Sequence, residues 1–313
     1  MSQVRTIEIL QTAAMPTHDP EAFDRQFQVH RHYVAADPIP AAIATRVRGI
    51  AAGGPRRIDA RVLDACPEVA IIANFGVGVD RVDVDEARRR GIVVTNTPHV
   101  LTEEVADFAV ALLLATIRRI PAAERFLRDG LWQQGRFPFS PSLRGRTVGI
   151  LGLGHIGKAI ARRLAGFGIE VAYCGRSRQP DVALPYYATP PELAEHVDTL
   201  IVVTPGGAGT ANLVDAKVLS ALGPDGILIN ISRGSVMDQP ALIEALQSKR
   251  ILAAGLDVFA GEPRVPPELV AMDNVVLTPH VASSSLRTWQ DMSQVVLDNL
   301  VAWFREGCAL TPV

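Results

Sequence analysis

The chain has few cysteines, few aromatic residues, no excess of either charge and no long hydrophobic run. Its 313 residues include 3 cysteines and 5% aromatics, with 31 basic against 33 acidic side chains. The resulting net charge of −2 argues against a nucleic-acid-binding protein and against attraction to an anionic membrane, because both require clustered positive charge. Small molecules are therefore the expected partners.

The cysteines favour a reducing environment for the chain. Cys66, Cys174 and Cys308 are far apart in the sequence, lack CxxC spacing and cannot all be paired. Reduced thiols in a cytoplasmic protein are expected. Residues 1–5 lack the apolar segment of a secretion signal, and the longest apolar stretch, 108–117, is about half of a membrane span. The histidines show no metal-ligand spacing, so no metal site is predicted.

Short β-branched runs alternate with helical patterns, which is typical of βαβ units and of a parallel sheet covered on both faces. The length fits about two domains. Two long helices are predicted, one beginning at Thr102 and one over 285–306, from apolar residues at helical spacing. Strands are predicted at 6–10, 69–74, 92–95, 147–151, 170–174, 199–203, 226–231, 253–258 and 275–277.

A glycine-rich turn joins the strand predicted at 147–151 to a helical pattern, which is the context in which GxGxxG indicates a dinucleotide site. Gly152 permits the tight turn, Gly154 lets a pyrophosphate approach the backbone amides at the helix N-terminus, and Gly157 lets helix and strand pack closely. Leu153, His155 and Ile156 complete the loop. Dinucleotide binding is therefore favoured over a purely structural turn.

The end of the following strand indicates which dinucleotide is bound. An acidic residue that would accept from a ribose 2′-OH is absent, and the chain instead has Gly175, Arg176, Ser177 and Arg178. Two guanidinium groups and a hydroxyl suit a 2′-phosphate, because arginine forms charge-assisted bonds to such a group. NADP(H) is therefore predicted in preference to NAD(H), although the same arginines could be solvated loop charges.

Seven segments together resemble the D-isomer-specific 2-hydroxyacid dehydrogenase family, particularly its glyoxylate/hydroxypyruvate reductase branch and the related hydroxyphenylpyruvate reductases. The resemblance spans nearly the whole chain. The segments are NFGVGVD (74–80), TNTP (95–98), EVADFAVALLLA (104–115), GLGHIG (152–157), INISRGSVMD (229–238), AAGLDVFAGEP (253–263) and NVVLTPHVAS (274–283).

This resemblance implies a catalytic set for reduction of a 2-oxo acid by hydride transfer. His280 matches the proton donor, Glu262 the carboxylate that orients it and favours its protonated form, and Arg233 the residue that binds the substrate carboxylate and carbonyl. Reduction of a carbonyl creates a developing alkoxide, so a proton donor and an anion clamp are what the chemistry requires.

Further contacts are implied for substrate and cofactor. The backbone amides of Val77 and Gly78 would complete the carboxylate cradle, with Ser283 also at the substrate. Asp257 resembles the residue that bonds the nicotinamide carboxamide. Thr204 and Ile231 are the remaining expected cofactor contacts.

Two departures from the family pattern bear on specificity. The chain reads Thr204-Pro205-Gly206-Gly207 where relatives usually have a Pro-Leu-Thr run, which leaves Thr204 as the expected hydroxyl near the cofactor. Trp289 occupies a position where the reductase branch often has arginine, and an indole there would make the pocket more apolar. A reductase of aromatic 2-oxo acids such as phenylpyruvate or hydroxyphenylpyruvate is therefore the alternative.

The predicted architecture is α/β, with two Rossmann-like doubly wound parallel-sheet domains and a cleft between them. Residues 1–100 plus 286–313 would form a flavodoxin-like substrate-binding domain, and residues 101–285 the NADP-binding Rossmann domain. The resemblance also suggests a homodimer in which the proline-rich loop 130–143 reaches toward the partner, with Phe137 and Phe139 as the candidates to line the partner's active site. A nucleotide-sensing binding protein of the corepressor type shares this fold and is the alternative from another functional class.

Overall fold

The computed structural model describes residues 6–313; residues 1–5, where the sequence predicts no secretion signal, lie outside the described residues. The strands are β1 Glu8–Gln11, β2 Gln28–Arg31, β3 Val47–Ala52, β4 Ile71–Asn74, β5 Val93–Thr95, β6 Thr147–Leu151, β7 Glu170–Cys174, β8 Tyr186–Tyr187, β9 Thr199–Val202, β10 Ile227–Asn230, β11 Ala253–Leu256 and β12 Val275–Leu277. The α-helices are α1 Ala22–Gln26, α2 Ala41–Ala44, α3 Ala60–Ala65, α4 Val84–Arg89, α5 Thr102–Ile117, α6 Ile120–Arg128, α7 His155–Gly166, α8 Pro190–Glu195, α9 Ala216–Leu222, α10 Gln239–Gln247, α11 Pro267–Val270 and α12 Leu286–Glu306.

The chain divides into two compact units. The first is formed by the chain up to Leu101 together with Ser283–Val313, and the second by Thr102–Ala282. Each contains one sheet in which all strands are parallel, so the predicted α/β class with two parallel-sheet domains is confirmed. Along residues 6–313, no helix combines the length and the apolar character that crossing a bilayer requires.

The five-stranded sheet of the first unit has the order β2-β1-β3-β4-β5. Successive residues of a strand point to opposite faces, and in β1 Ile9 packs into one apolar cluster and Leu10 into another. Helix α12 covers the Ile9 face with Val296, Leu297 and Leu300. Both faces of this sheet are therefore buried, as expected for a parallel sheet.

The C-terminal tail completes this sheet at its β5 edge. Pro312 forms an antiparallel bridge with Thr95, and the Val313 amide donates to the Val94 carbonyl at 3.0 Å. The wholly buried Asn299 of α12 holds the tail, because its Oδ1 accepts from the amides of residues 310 and 311 at 2.9 and 3.0 Å. The edge strand therefore has no open hydrogen-bonding row next to the tail.

The seven-stranded sheet of the second unit has the order β12-β11-β10-β9-β6-β7-β8. Strand β6 lies between β9 and β7, which is the point where the strand order reverses. In open parallel sheets, ligands bind outside the carboxyl ends of the strands at such a point. The predicted site segments of this unit follow the ends of β6, β7, β9, β10, β11 and β12.

Candidate active site

The glycine loop has the backbone geometry that a phosphate site requires. Gly152 has a φ of +105°, which glycine adopts without strain, and its amide donates to the Cys174 carbonyl at 2.9 Å. Gly154 is the N-cap of α7 and provides no side-chain cap, and a Cβ atom there would meet nothing within 4 Å. A Cβ atom on Gly157 would lie 2.3 Å from the Gly152 carbonyl oxygen. The loop is therefore open toward a ligand and closed toward the strand, which fits a bound pyrophosphate.

The loop after β7 presents cations to solvent. Arg176, Ser177 and Arg178 are exposed, and neither guanidinium group has an ion-pair or hydrogen-bond partner within the described part of the chain. Such groups keep their full capacity for an anionic ligand. The residues present therefore fit the 2′-phosphate of NADP(H).

Two further predicted cofactor residues lie at the ends of neighbouring strands. Thr204 follows β9, and its hydroxyl donates to the carbonyl of Leu151 at 2.9 Å. Leu151 is the last residue of β6, directly before the glycine turn, so this bond joins the ends of β9 and β6. Ile231 follows β10 and is 7% exposed. Both residues therefore line the same edge of the sheet as the glycine loop.

His280 and Glu262 form a hydrogen-bonded pair within the second unit. The distance from His280 Nδ1 to Glu262 Oε2 is 2.9 Å, and Glu262 Oε1 accepts from the Phe259 amide at 3.0 Å. An ionised carboxylate can only accept, so Nδ1 carries the hydrogen of this bond and Nε2 is the ring nitrogen left for a substrate. The His280 side chain is 45% exposed, so a ligand has access to it.

The carboxyl group of Glu262 is held in its ionised form. Burial alone would raise its pKa, but the hydrogen bond from His280, the bond from the Phe259 amide and the charges of His280 and Arg233 outweigh burial and lower the pKa below its ordinary value. Glu262 therefore stays ionised as the pH falls through that ordinary value. A carboxylate therefore lies beside Nδ1 of the histidine that is predicted to donate a proton.

Glycines at 206 and 234 permit close packing at Arg233 and at the residue that follows it. A Cβ atom on Gly206 would lie 2.9 Å from Arg233 Cγ, and one on Gly234 would lie 1.9 Å from the carbonyl carbon of Phe259. The aliphatic part of the Arg233 side chain therefore lies against Gly206. The next residue, Gly234, packs on the backbone of Phe259, in the segment that leads to Glu262.

Replacing Gly206 by alanine is expected to weaken substrate binding selectively. The added methyl group overlaps Arg233 Cγ, which is not the flexible end of that side chain, so the guanidinium must move. We expect KM for the 2-oxo acid to rise by about 10-fold, which is a loss of roughly 1.4 kcal/mol, with KM for NADPH unchanged. Gly209 is the matched control, because a Cβ atom there meets nothing within 4 Å. Equal kinetics for both variants would contradict the confinement of Arg233.

Asp257 anchors the segment that carries His280. Its Oδ1 accepts from the Thr278 hydroxyl at 2.6 Å and from the Val281 amide at 2.9 Å, while Oδ2 accepts from the Ala282 amide at 2.9 Å. Burial raises the pKa of Asp257, although these three bonds oppose the rise. The bond to a nicotinamide carboxamide remains a prediction, and the geometry adds a second role in holding His280, whose φ is +53°.

Replacing Asp257 by asparagine is expected to lower both stability and kcat. One carboxylate oxygen becomes an NH₂ group that faces the Ala282 amide, so two donors meet without an acceptor. We expect a loss of about 1–3 kcal/mol in the free energy of unfolding, measured with urea, together with a lower kcat because the His280 segment shifts. Asp273→Asn, at an exposed position before β12, is the control. Unchanged stability would show that these bonds contribute little.

Three predicted substrate residues, Val77, Gly78 and Ser283, belong to the first unit. The Asn74 side chain shapes the turn that carries Val77 and Gly78, because its Nδ2 donates to the carbonyls of residues 76 and 78, both at 3.1 Å. Neither the Val77 nor the Gly78 amide has an acceptor among residues 6–313. Two amides left free in one turn fit an anionic group.

Trp289 of α12 packs against this turn. Its ring meets Phe75 edge to face, with centroids 5.5 Å apart and an interplanar angle of 83°. The buried Trp289 Nε1 has no hydrogen-bond partner in the part of the chain that the structure describes. The turn therefore has an apolar aromatic neighbour that also contains an unused donor.

A nucleotide loop and a histidine–carboxylate pair at one edge of a parallel sheet define an oxidoreductase of the nucleotide-dependent class. The model of the D-isomer specific 2-hydroxyacid dehydrogenase, NAD binding domain, matches residues 110–282. The chain belongs to the D-isomer-specific 2-hydroxyacid dehydrogenase family, which confirms the resemblance found in the sequence.

Several relatives match nearly the whole chain. The NADPH-dependent glyoxylate/hydroxypyruvate reductase SmGhrB from Sinorhizobium meliloti, in complex with NADP and malonate, is 51% identical with a TM-score of 0.91, covering 98% of this chain and 96% of that chain. A 2-ketogluconate reductase from Gluconobacter oxydans is 43% identical over 94% of both chains. A hydroxyphenylpyruvate reductase from Plectranthus scutellarioides is 39% identical over 99% of this chain and 100% of its own.

Some residues at the site were given no role by the sequence, although they lie in segments that it singled out. Asn74 is the last residue of a buried strand directly before a glycine turn, a position that could have marked it as a turn-shaping amide. Gly206 belongs to the segment that departs from the family pattern, but its packing against Arg233 was not predicted. The anchoring bonds of Asp257 join residues more than 20 positions apart, and no local pattern predicts them.

Proposed function

We propose that this chain reduces a small 2-oxo acid, glyoxylate or hydroxypyruvate, to the D-2-hydroxy acid with NADPH, and that His280 donates the proton. The observation that carries the proposal is the 2.9 Å bond between His280 Nδ1 and Glu262 at the sheet edge that also bears Arg233 and the glycine loop. The names of the relatives from Sinorhizobium and Gluconobacter support the reaction type.

The cofactor would be held by residues 101–285, the proposed NADP-binding domain. The amides of 152–157 would bind the pyrophosphate, Arg176, Ser177 and Arg178 the 2′-phosphate, and Gly175, Thr204, Ile231 and Asp257 would complete the contacts. Bound NADPH would supply the hydride that reduces the C2 carbonyl. The chain itself would supply orientation and charge.

The remaining chemistry belongs to three side chains. Arg233 would bind the carboxylate of the 2-oxo acid and polarise its carbonyl group, because a guanidinium forms paired bonds to such oxygens. His280 would pass the Nε2 proton to the carbonyl oxygen as negative charge develops there, and Glu262 would stabilise the imidazolium before transfer. Val77, Gly78 and Ser283 are the proposed substrate contacts contributed by the remainder of the chain.

A second candidate substrate class is favoured by the aromatic contact of Trp289. The edge-to-face pair of Phe75 and Trp289 packs on the turn proposed to bind the substrate carboxylate. Apolar rings at that place would suit phenylpyruvate or hydroxyphenylpyruvate better than a small polar acid. The hydroxyphenylpyruvate reductase among the relatives supports this candidate.

The two candidates are separated by one substrate panel. Initial rates are measured for glyoxylate, hydroxypyruvate, phenylpyruvate and 2-ketogluconate, each with NADPH and with NADH. We expect the highest kcat/KM with glyoxylate or hydroxypyruvate and NADPH. A clear preference for phenylpyruvate would establish the second candidate, and absence of turnover with every acid would overturn the proposed reaction.

We also propose a cytoplasmic homodimer. Segment 120–139 exposes large apolar side chains, since Leu127, Trp132 and Phe139 are 57%, 69% and 86% exposed. Phe137 is engaged locally, because it packs on Phe126 with centroids 5.4 Å apart. Free Cys66, Cys174 and Cys308 suit a reducing compartment. Light scattering of the purified protein tests the dimer, and a monomer at micromolar concentration would reject it.

A further inference from the structure

The uncharged residue Gln179 joins the two loops that are proposed to bind the anionic groups of NADPH, namely the glycine loop and the loop of Arg176 and Arg178. We propose that Gln179 is a positioning residue that sets the preference for NADPH over NADH. It would do so by holding the loop of Arg176 and Arg178 in place relative to the glycine loop. This inference rests on the proposed use of NADPH.

The first observation concerns the far end of the arginine loop. The backbone amide of Gln179 donates to the hydroxyl of Tyr173 at 2.7 Å. Tyr173 is in β7 and is 0% exposed, so this hydroxyl is a fixed point within the sheet. At the other end, the Tyr186 hydroxyl donates to the Gly175 carbonyl at 3.4 Å, and the two tyrosine rings lie 5.3 Å apart. The backbone of 175–179 is therefore tied at both ends to one pair of aromatic side chains.

The second observation joins this loop to the glycine loop. Gln179 Nε2 donates to the Leu153 carbonyl at 2.7 Å, across 26 positions of sequence. Leu153 is the central residue of Gly152-Leu153-Gly154 and is 4% exposed, so the acceptor is also fixed. The Gln179 side chain thus binds the glycine loop, while the backbone amide of the same residue holds the loop of Arg176 and Arg178.

The hydrogen bonds of Gln179 fix the distance between the glycine loop and the loop of Arg176 and Arg178, which must match the distance between two groups of NADPH. In NADPH, the 2′-phosphate and the pyrophosphate are joined through one ribose, so the groups that bind them must keep a matching separation. Arg176 and Arg178 have long exposed side chains, and their backbone is the part that the Gln179 bonds hold. Preorganised charges bind more tightly because less freedom is lost on binding. NADH lacks the 2′-phosphate, so its affinity depends far less on where these arginines lie.

The test is Gln179→Met, which removes the side-chain donor. It keeps the length of the side chain and the hydrogen bond from the backbone amide of residue 179 to the Tyr173 hydroxyl. We expect kcat/KM with NADPH to fall about 3- to 10-fold, the effect of one net hydrogen bond, through KM, with kcat at saturating NADPH unchanged. Values with NADH should change less than about 2-fold. Gln247→Met, at an exposed position in α10 with no bonded partner among the described residues, is the matched control.

A double variant separates positioning from a general effect on the fold. Once Arg176→Ala has removed one positioned charge, Gln179→Met should cost clearly less than it does alone, since the two residues act through one contact. Independent, multiplying effects would overturn the inference, and so would equal losses with both cofactors, which would place the role of Gln179 in the glycine loop alone. If the native enzyme uses NADPH and NADH equally, the proposed cofactor preference fails first; if it prefers NADPH and Gln179→Met retains the full ratio, the inference alone fails.

Discussion

His280→Ala is expected to lower kcat for reduction of the 2-oxo acid by about 10²–10⁴-fold, the range associated with loss of a positioned general acid. The reason lies in the geometry of the pair, because the bond between Nδ1 and Glu262 leaves Nε2 as the single nitrogen able to deliver a proton. Steady-state kinetics at saturating NADPH measure the loss. Fluorescence titration should show that NADPH still binds with near-normal Kd, since His280 is assigned to proton delivery and not to the cofactor.

The matched control is His196→Ala, which removes an exposed histidine whose Nδ1 contacts the Glu192 carbonyl at the end of α8. This variant should retain kcat within about 2-fold, as surface substitutions away from a site usually do. If His280→Ala also turned over at a near-normal rate, the proton would have to come from another donor, and the assignment of this histidine would be wrong.

Arg176→Ala is expected to weaken NADPH binding by roughly 10- to 150-fold, because a bond from a guanidinium to a phosphate contributes about 1.5–3 kcal/mol. KM for NADH should change little, so the ratio of kcat/KM values for the two cofactors falls by nearly the same factor. The loss should shrink at high salt, since an exposed charge pair is screened.

Arg57→Ala is the control for loss of one positive charge, because Arg57 is exposed and lies in the other unit. It should leave both KM values unchanged. If Arg176→Ala raised KM for NADH as much as KM for NADPH, the guanidinium would be acting on a part that both cofactors share. The 2′-phosphate assignment would then have to be given up.

Sequence patterns predicted best the strands that are apolar, β-branched runs, such as β6, β9 and β12. Strand β6 and the glycine loop after it could be predicted because an apolar β-branched run directly precedes the glycines. Strands β2, β3 and β8 were missed: β2 is a short edge strand of mostly polar residues, β8 has only two residues, and β3 contains one glycine and two alanines of low strand propensity. A Cβ atom at Gly49 would lie 3.1 Å from Phe304 Cε2, so tertiary packing, rather than propensity, selects that residue.

The candidate site was predicted to the level of residue types and their order along the chain. Arg233, Glu262 and His280 follow the ends of three adjacent strands, and parallel strands bring such ends to one edge of a sheet. The contacts that tune them were not predictable, because Gly206 meets Arg233 and Gln179 meets Leu153 only after the loops have folded. Substrate choice depends on side-chain placement of this kind and therefore needs measurement.

The C-terminal tail has a consequence for the order in which the protein is made. The unit of Thr102–Ala282 is one continuous stretch and is synthesised before residues 283–313, which belong to the other unit. The other unit lacks α12 and the residues that pair with β5 until residues 286–313 have also been synthesised. Domains generally fold as units during synthesis. The strands of the first hundred residues must therefore wait, with one face of their sheet uncovered, until α12 has been made, and a chain truncated after residue 282 would contain one complete domain and one incomplete one.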